Sequence, residues 1–191
     1  MLGTSTCAIS FGAFKRSTSY TLSAMPKIER IKNRHLLKKK QQRVEIEKIE
    51  SVIGTTVSLP DGARLEAGIL DDGSRVMLLN GEILFFERDG RMLPTLRAVL
   101  AGYVSVPRVT VDMGAVRFVV NGADVMRPGV TAVDDGIEEG SVVAVVDERH
   151  GKPLAIGVAM FDSETMRQAK SGKVVLSRHH IGDALWEFGK Q

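Results

Sequence analysis

Asp112-Met-Gly-Ala-Val-Arg-Phe-Val-Val-Asn-Gly-Ala-Asp-Val-Met-Arg-Pro-Gly129 is the stretch from which the fold can be read. Met113, Val116 and Val120 recur at i, i+3 and i+7, so the spacing predicts a short helix over 113–121 with one apolar face. Gly122 follows where a helix end calls for a residue comfortable at positive φ. Val125 and Met126 then start a strand whose side chains fall in a core, and Pro128-Gly129 ends it in a turn, Pro fixing φ and Gly relaxing it. Gly122 to Gly129 therefore reads as a ledge of small side chains and backbone amides that a phosphodiester could approach closely.

Outward from this stretch, short strands dominate. Downstream and immediately upstream they are expected at 109–112, 125–127, 141–146, 154–159, 174–176 and 185–188, with a further helix over 163–170 capped by Asp162 or Ser163. Many short strands punctuated by Gly and Pro indicate a barrel or sandwich. Trp186 most simply closes that barrel by packing into its core, in preference to stacking on a base. Further upstream, apolar segments at 56–59, 65–70, 75–79 and 82–87 are separated by Asp61-Gly62, Asp72-Gly73, Asn80-Gly81 and Asp89-Gly90. Asn80-Gly81 between two apolar runs is the strongest hairpin signal in the chain. Pro94 is expected to open a short helix over 95–101 at its first position.

Charge is distributed unevenly. Residues 1–50 hold 11 Lys and Arg against 4 Glu, a net +7, while the remaining 141 residues hold 15 against 19, a net −4. From Asp112 onward the balance is 9 against 12, a net −3. Electrostatic capture of phosphate would therefore begin in the first third. There Ile46, Ile49 and Ile53 predict a helix over 39–53, ended by Gly54 and preceded by Lys38-Lys39-Lys40. Three lysines at a helix N-terminus oppose the macrodipole, which a phosphate contact would explain; a solvated charge run is the plainer alternative.

Several function classes are excluded. Cys7 is the single cysteine, so there is no internal disulfide and no Cys-based zinc site. No run approaches the roughly 18 apolar residues of a membrane span. Residues 1–24 lack the order of a secretory signal and read as an extension upstream of a start at Met25, with an organelle transit peptide as the alternative. Ser171-Gly172-Lys173 fails as a P-loop because Val174 follows the lysine and Arg167 stands where the first glycine belongs. His179-His180, adjacent on a strand, face opposite ways and do not chelate. Asp71-Asp72, Asp134-Asp135 and Glu138-Glu139 sit beside turn glycines as solvated loops. No catalytic residues, cofactor or metal are expected.

The stretch from Asp112 to Val130 resembles the opening of a PUA domain, the small β-barrel named for pseudouridine synthases and archaeosine transglycosylases. Asn80-Gly-Glu-Ile-Leu-Phe-Phe86, Pro94-Thr-Leu-Arg97 and Gly182-Asp-Ala-Leu-Trp-Glu-Phe188 extend the resemblance to the malignant-T-cell-amplified-sequence family of translation factors, in its shorter archaeal form. One departure is Gly140-Ser141-Val142-Val143, where PUA domains often show Gly-Asp-x-Val.

The resemblance implies an α+β protein: a small N-terminal α/β-meander, pre-PUA-like domain over 25–107, then a C-terminal PUA β-barrel over 108–191. It also implies RNA contact through Gly122, Ala123, Val125, Met126, Pro128 and Gly129. Arg117, Arg127, Lys152 and Arg178 are expected to help, with Lys38, Lys39 and Lys40 as a separate basic contribution. The implied partners are rRNA or tRNA, the small ribosomal subunit and a density-regulated-type protein, in a cytoplasmic, non-enzymatic role in initiation or recycling. Two other readings stay open. One is an accessory tRNA-binding subunit for an RNA-modification enzyme of the pseudouridine synthase or transglycosylase type. The other is a protein adaptor using Phe85 and Phe86 as an exposed apolar patch.

Overall fold

The structure, a computed structural model, describes residue 28 and residues 30–189. The extension over 1–24 and the start at Met25 lie outside the described residues. Strand β1 (Lys32–Leu36) leads into helix α1 (Lys39–Ile53), and strands β2 (Leu65–Ile69), β3 (Arg75–Leu79), β4 (Glu82–Arg88) and β5 (Arg91–Pro94) precede helix α2 (Leu96–Leu100). These strands form an antiparallel meander in the order β1-β2-β3-β4-β5.

Local chemistry explains the joints. Asn80 and Gly81 take φ of 52° and 86°, and Asp89 and Gly90 take 53° and 72°, so both two-residue turns have the doubly positive φ that matches strand twist. α1 begins with the Lys38 backbone N–H donating to Gln41 Oε1 at 3.1 Å. It ends at Gly54, whose φ of 70° lets its N–H reach the Glu50 carbonyl. Ile49 and Ile53 bury the expected face, with Ile46 partly covered beside them.

Three expectations in this half are corrected. The segment 56–59 is not a strand; Val57 makes a single bridge to Val104. Pro94 does not open a helix. It ends edge strand β5, where a missing N–H costs no ladder bond, and Thr95 caps α2 instead by accepting from the Ala98 N–H. Phe85 and Phe86 are buried, and α2 packs on β4, so the exposed-patch adaptor reading falls. Burying each ring contributes about 2–3 kcal/mol. β1 and β5 carried no apolar run long enough to announce them.

The second sheet contains β6 (Arg108–Val111), β7 (Val125–Met126), β8 (Val130–Val133), β9 (Val142–Asp147), β10 (Pro153–Ala159) and β11 (Lys173–His180). Helices α3 (Met113–Val119), α4 (Ser163–Gln168) and α5 (Ala184–Glu187) accompany them. The order is β7-β11-β10-β9-β6-β8, with β6 and β9 parallel and every other pair antiparallel. The end strands β7 and β8 are joined by one 3-10 turn, Arg127–Gly129, giving a barrel-like sheet. β8 was not anticipated. The strand expected at 185–188 is helix α5, because Asp183 accepts from the Trp186 N–H and caps it.

The two sheets share a wall. All six residues of β9 are buried. Val143 and Val145 join the barrel interior with Val109, Val119 and Val175, whereas Val142, Ala144 and Val146 join a core with Phe86, Leu93 and Leu96 of the first sheet. Trp186 belongs to that second core and not to the barrel interior. Its ring lies 5.9 Å from the Arg97 guanidinium, which also donates to the Trp186 and Phe188 carbonyls at 3.0 and 2.9 Å.

His179, fully buried, stands edge-on to Phe86 at 5.6 Å, and its Nδ1 lies 2.7 Å from Asp183 Oδ2. Burial works against ionisation of Asp183, yet His179 and the Trp186 and His180 amides outweigh it and hold the carboxyl below its usual range. A depressed folded value means the stabilisation is complete above the unfolded carboxyl near 3.9 and is lost as pH falls through the folded value. Asp183→Ala should cost about 2–4 kcal/mol at pH 7 and clearly less at pH 3, measured by denaturant unfolding at both pH values.

Candidate nucleic-acid interface

α3 is fixed at both ends. Asp112 accepts from the Ala115 N–H at 2.7 Å as its N-cap, and the Asp112 N–H donates to the Gly129 carbonyl at 2.9 Å. That second bond draws the 3-10 turn against the helix so closely that a Cβ on Gly129 would stand 2.8 Å from the Ala115 methyl. At the other end Gly122 turns at φ +81°, with its Cα against His180; a Cβ there would meet the ring's Nε2 at 2.7 Å. Gly122 and Gly129 are thus required by close approach, the first by φ as well.

Between helix and turn lies a cavity of about 550 Å³, walled by Ala115, Phe118, Val125, Met126 and Pro128. Its backbone offers less than the sequence suggests. The Gly122 and Ala123 N–H groups close the helix onto the Val119 and Phe118 carbonyls, and the Arg127 N–H donates to Gly172. The ledge of free amides over Gly122 to Gly129 is therefore corrected to a largely apolar pocket. Met126 is corrected as well: it is 50% exposed at the rim, while Val125 is buried as expected. The helix stripe shifts too, with Val119 its most buried member and Met113 exposed.

Two carboxylates reach the cavity, and both are occupied. Asp112 caps the helix. Burial opposes the charge on Asp124, but Lys173 at 2.6 Å and the Ser177 N–H at 2.8 Å outweigh it and hold its carboxyl below the ordinary range. The wall is thus not a ring of free negative charge.

The expected basic residues do not converge on one point. Arg117 lies at the cavity, its guanidinium 4.6 Å from the Phe118 ring. Arg127 spends its guanidinium on the Val130 and Arg167 carbonyls, at 2.9 and 3.0 Å, and shapes the turn. Arg178 pairs with Asp89 at 3.0 Å and faces a cleft between the sheets. Lys152 sits in the β9–β10 hairpin, whose tip is held by Asp147 accepting from the Arg149, His150 and Lys152 backbone N–H groups. Lys38, Lys39 and Lys40 are at the start of α1 in the other half.

Phe118 was missed. It falls off the Met113, Val116, Val120 stripe and is 53% exposed, a large ring set facing solvent on a helix. Being out of phase with the apolar period was the signal available in the sequence.

A model of the PUA domain matches residues 107–181, which contain α3, the turn and the cavity. An uncharacterized protein of Methanocaldococcus jannaschii is 37% identical over 78% of this chain and 88% of its own length. Translation machinery-associated protein 20 of Saccharomyces cerevisiae is 33% identical over 74% of this chain and 80% of its own. The chain belongs to the PUA-domain family that includes translation machinery-associated protein 20 and malignant T-cell-amplified sequence 1. A PUA domain of Aeropyrum pernix, crystallised as a tartrate complex, superposes with a TM-score of 0.72 at 30% identity over 88% of this chain and 98% of that one.

The PUA match stops at Ile181, before α5. That limit agrees with the packing, since Trp186 and Leu185 belong to the core shared with the first sheet. Among the described residues no group of three or more metal-ligating side chains occurs, and no helix is long and apolar enough to cross a membrane. Gly122→Ala should lose about 1–2 kcal/mol, read as a lowered thermal midpoint, because the methyl meets both an unfavourable φ and the His180 ring.

Proposed function

We propose that this protein is an RNA-binding factor that works in translation, without catalysis of its own, and that the cavity beside α3 is where its PUA domain meets RNA. The observation that carries this reading is an exposed Phe118 with Arg117 stacked on it, at the mouth of an apolar cavity whose carboxylates are already occupied. Relatives named for association with the translation machinery support the setting.

The chemistry favours an unpaired base over a duplex. A ring, a thioether and a proline present flat or soft apolar surface, which suits a splayed-out base, and Arg117 can turn to a phosphate beside it. Gly122, Ala123, Val125, Met126, Pro128 and Gly129 then act mainly as shape. Arg127 supports the turn. Arg178 and Lys152 stand at the periphery, and Lys38, Lys39 and Lys40 lie at the start of α1, outside this cavity. With a net charge of −3 from Asp112 onward, stacking must carry more of the affinity than phosphate neutralisation. The ligand class is rRNA or tRNA, the setting the cytoplasmic small ribosomal subunit, and a density-regulated-type protein a candidate co-factor in that assembly.

Phe118→Ala should weaken binding of a single-stranded RNA roughly ten-fold or more, since base–aromatic stacking is worth about 1–3 kcal/mol. Fluorescence anisotropy measures it; affinity unchanged in both Phe118→Ala and Arg117→Glu would remove the cavity from the interface. Co-sedimentation with small ribosomal subunits across a salt series tests the setting. Association is expected at low salt and should fall as salt rises; its absence even at low salt rejects the ribosomal role.

A further inference from the structure

The meander has two faces, and among the described residues only one is covered along its whole width. Pleat alternation puts Val76, Phe86 and Leu93 toward the second sheet, where Phe86 meets His179, and turns Met77, Phe85 and Met92 the other way. On that other side α1 packs over β5. Beside α1, over β1 to β3, an open groove of about 440 Å³ remains. Ile69, Met77 and Met92 floor it, Val44 of α1 and Leu37 just before that helix form a wall, and Val44 is 41% exposed.

Two observations say what fits there. First, the rim is positive. Lys40 lines the groove, Lys38 and Lys39 adjoin it, and none of the three has an ion pair among the described residues. They stand at the N-terminus of a 15-residue helix with no acidic residue in its first turn, so the dipole adds to their field. Second, the edge of the sheet at β1 is broken. Asn33 takes φ 51°, and the β1–β2 register shifts between Lys32 and His35. A bulged edge resists addition of another strand. The lining has no Phe, Tyr or Trp, His35 being its one aromatic ring, and Glu45 stands in the wall, which opposes a phosphate backbone.

We propose that this groove is the docking site for an amphipathic helix of a partner protein, with apolar anchors at i, i+3 or i+4, and i+7 and with Asp or Glu on the flank above Lys38, Lys39 and Lys40. The helix would lie beside α1 and complete the layer over β1 to β3, its anchors meeting the exposed Val44 and the partly covered Leu37 and Ile69. This site is separate from the α3 cavity and independent of the RNA reading.

The test is selection of a displayed library of 18-residue peptides on the full chain, with counter-selection on Val44→Glu. Val44 is exposed, so that variant should fold with an unchanged thermal midpoint; Lys40→Glu provides a second, purely surface change. Enriched peptides should share the apolar spacing and an acidic flank. They should bind Val44→Glu and Lys40→Glu at least ten-fold more weakly than the unaltered protein. The proposal is overturned if nothing is enriched over the counter-selection, or if the enriched flanks are basic. It is equally overturned if an enriched peptide displaces a labelled tRNA transcript, because the groove would then be an RNA surface.

Discussion

Strand β9 is the constraint on which the rest of the molecule depends. It is buried on both faces, so alternate residues must satisfy two different neighbours: Val143 and Val145 fill the barrel-like sheet, while Val142, Ala144 and Val146 receive the meander. A strand buried on both faces cannot slip by one residue without exchanging the side chains each core receives. The register of β9 therefore fixes the position of the first sheet against the second. Ala144, between Val142 and Val146, is the small residue of the shared face.

Polar side chains then lock the joint that apolar packing sets. Arg97 binds two carbonyls of the C-terminal segment, Arg91 donates to Gly140, and Arg178 pairs with Asp89. His179 and Asp183 add a buried pair beside Phe86. These groups connect the half that holds the α3 cavity to the half that carries the lysines, so two surfaces far apart in sequence are held in a fixed relation. The same economy appears at the α3 cavity, where amides, carboxylates and Arg127 are spent on holding shape. What is left for a ligand is an aromatic ring, a thioether and one arginine.

Much of the architecture could be read from the chain. The Asn80-Gly81 turn, the Ile46, Ile49, Ile53 stripe ending at Gly54, and the Asp162 cap all act over a few residues, and each is where it was expected. Readings that depended on distant partners were less secure. Pro94 looked like a helix opener because its position at a sheet edge is a tertiary fact. Gly182 to Phe188 looked like a strand because Leu185 and Trp186 are apolar, yet the Asp183 cap and a core in the other sheet made it a helix. Met126 is as apolar as Val125, and only the direction of a two-residue strand separates them.

The sequence by itself determined the local grammar: which segments turn, where helices stop, which family the ordered motifs resemble, and that positive charge gathers at the front. These are fixed by φ preferences, capping and periodicity, which act between near neighbours. Tertiary structure alone decided that the Gly122–Gly129 amides are mostly consumed, that Arg127 and Arg178 are engaged elsewhere, and that, among the described residues, one side of the meander is left open. Each of those outcomes depends on which distant groups arrive to cover or pair a residue, and a linear pattern does not encode that arrival.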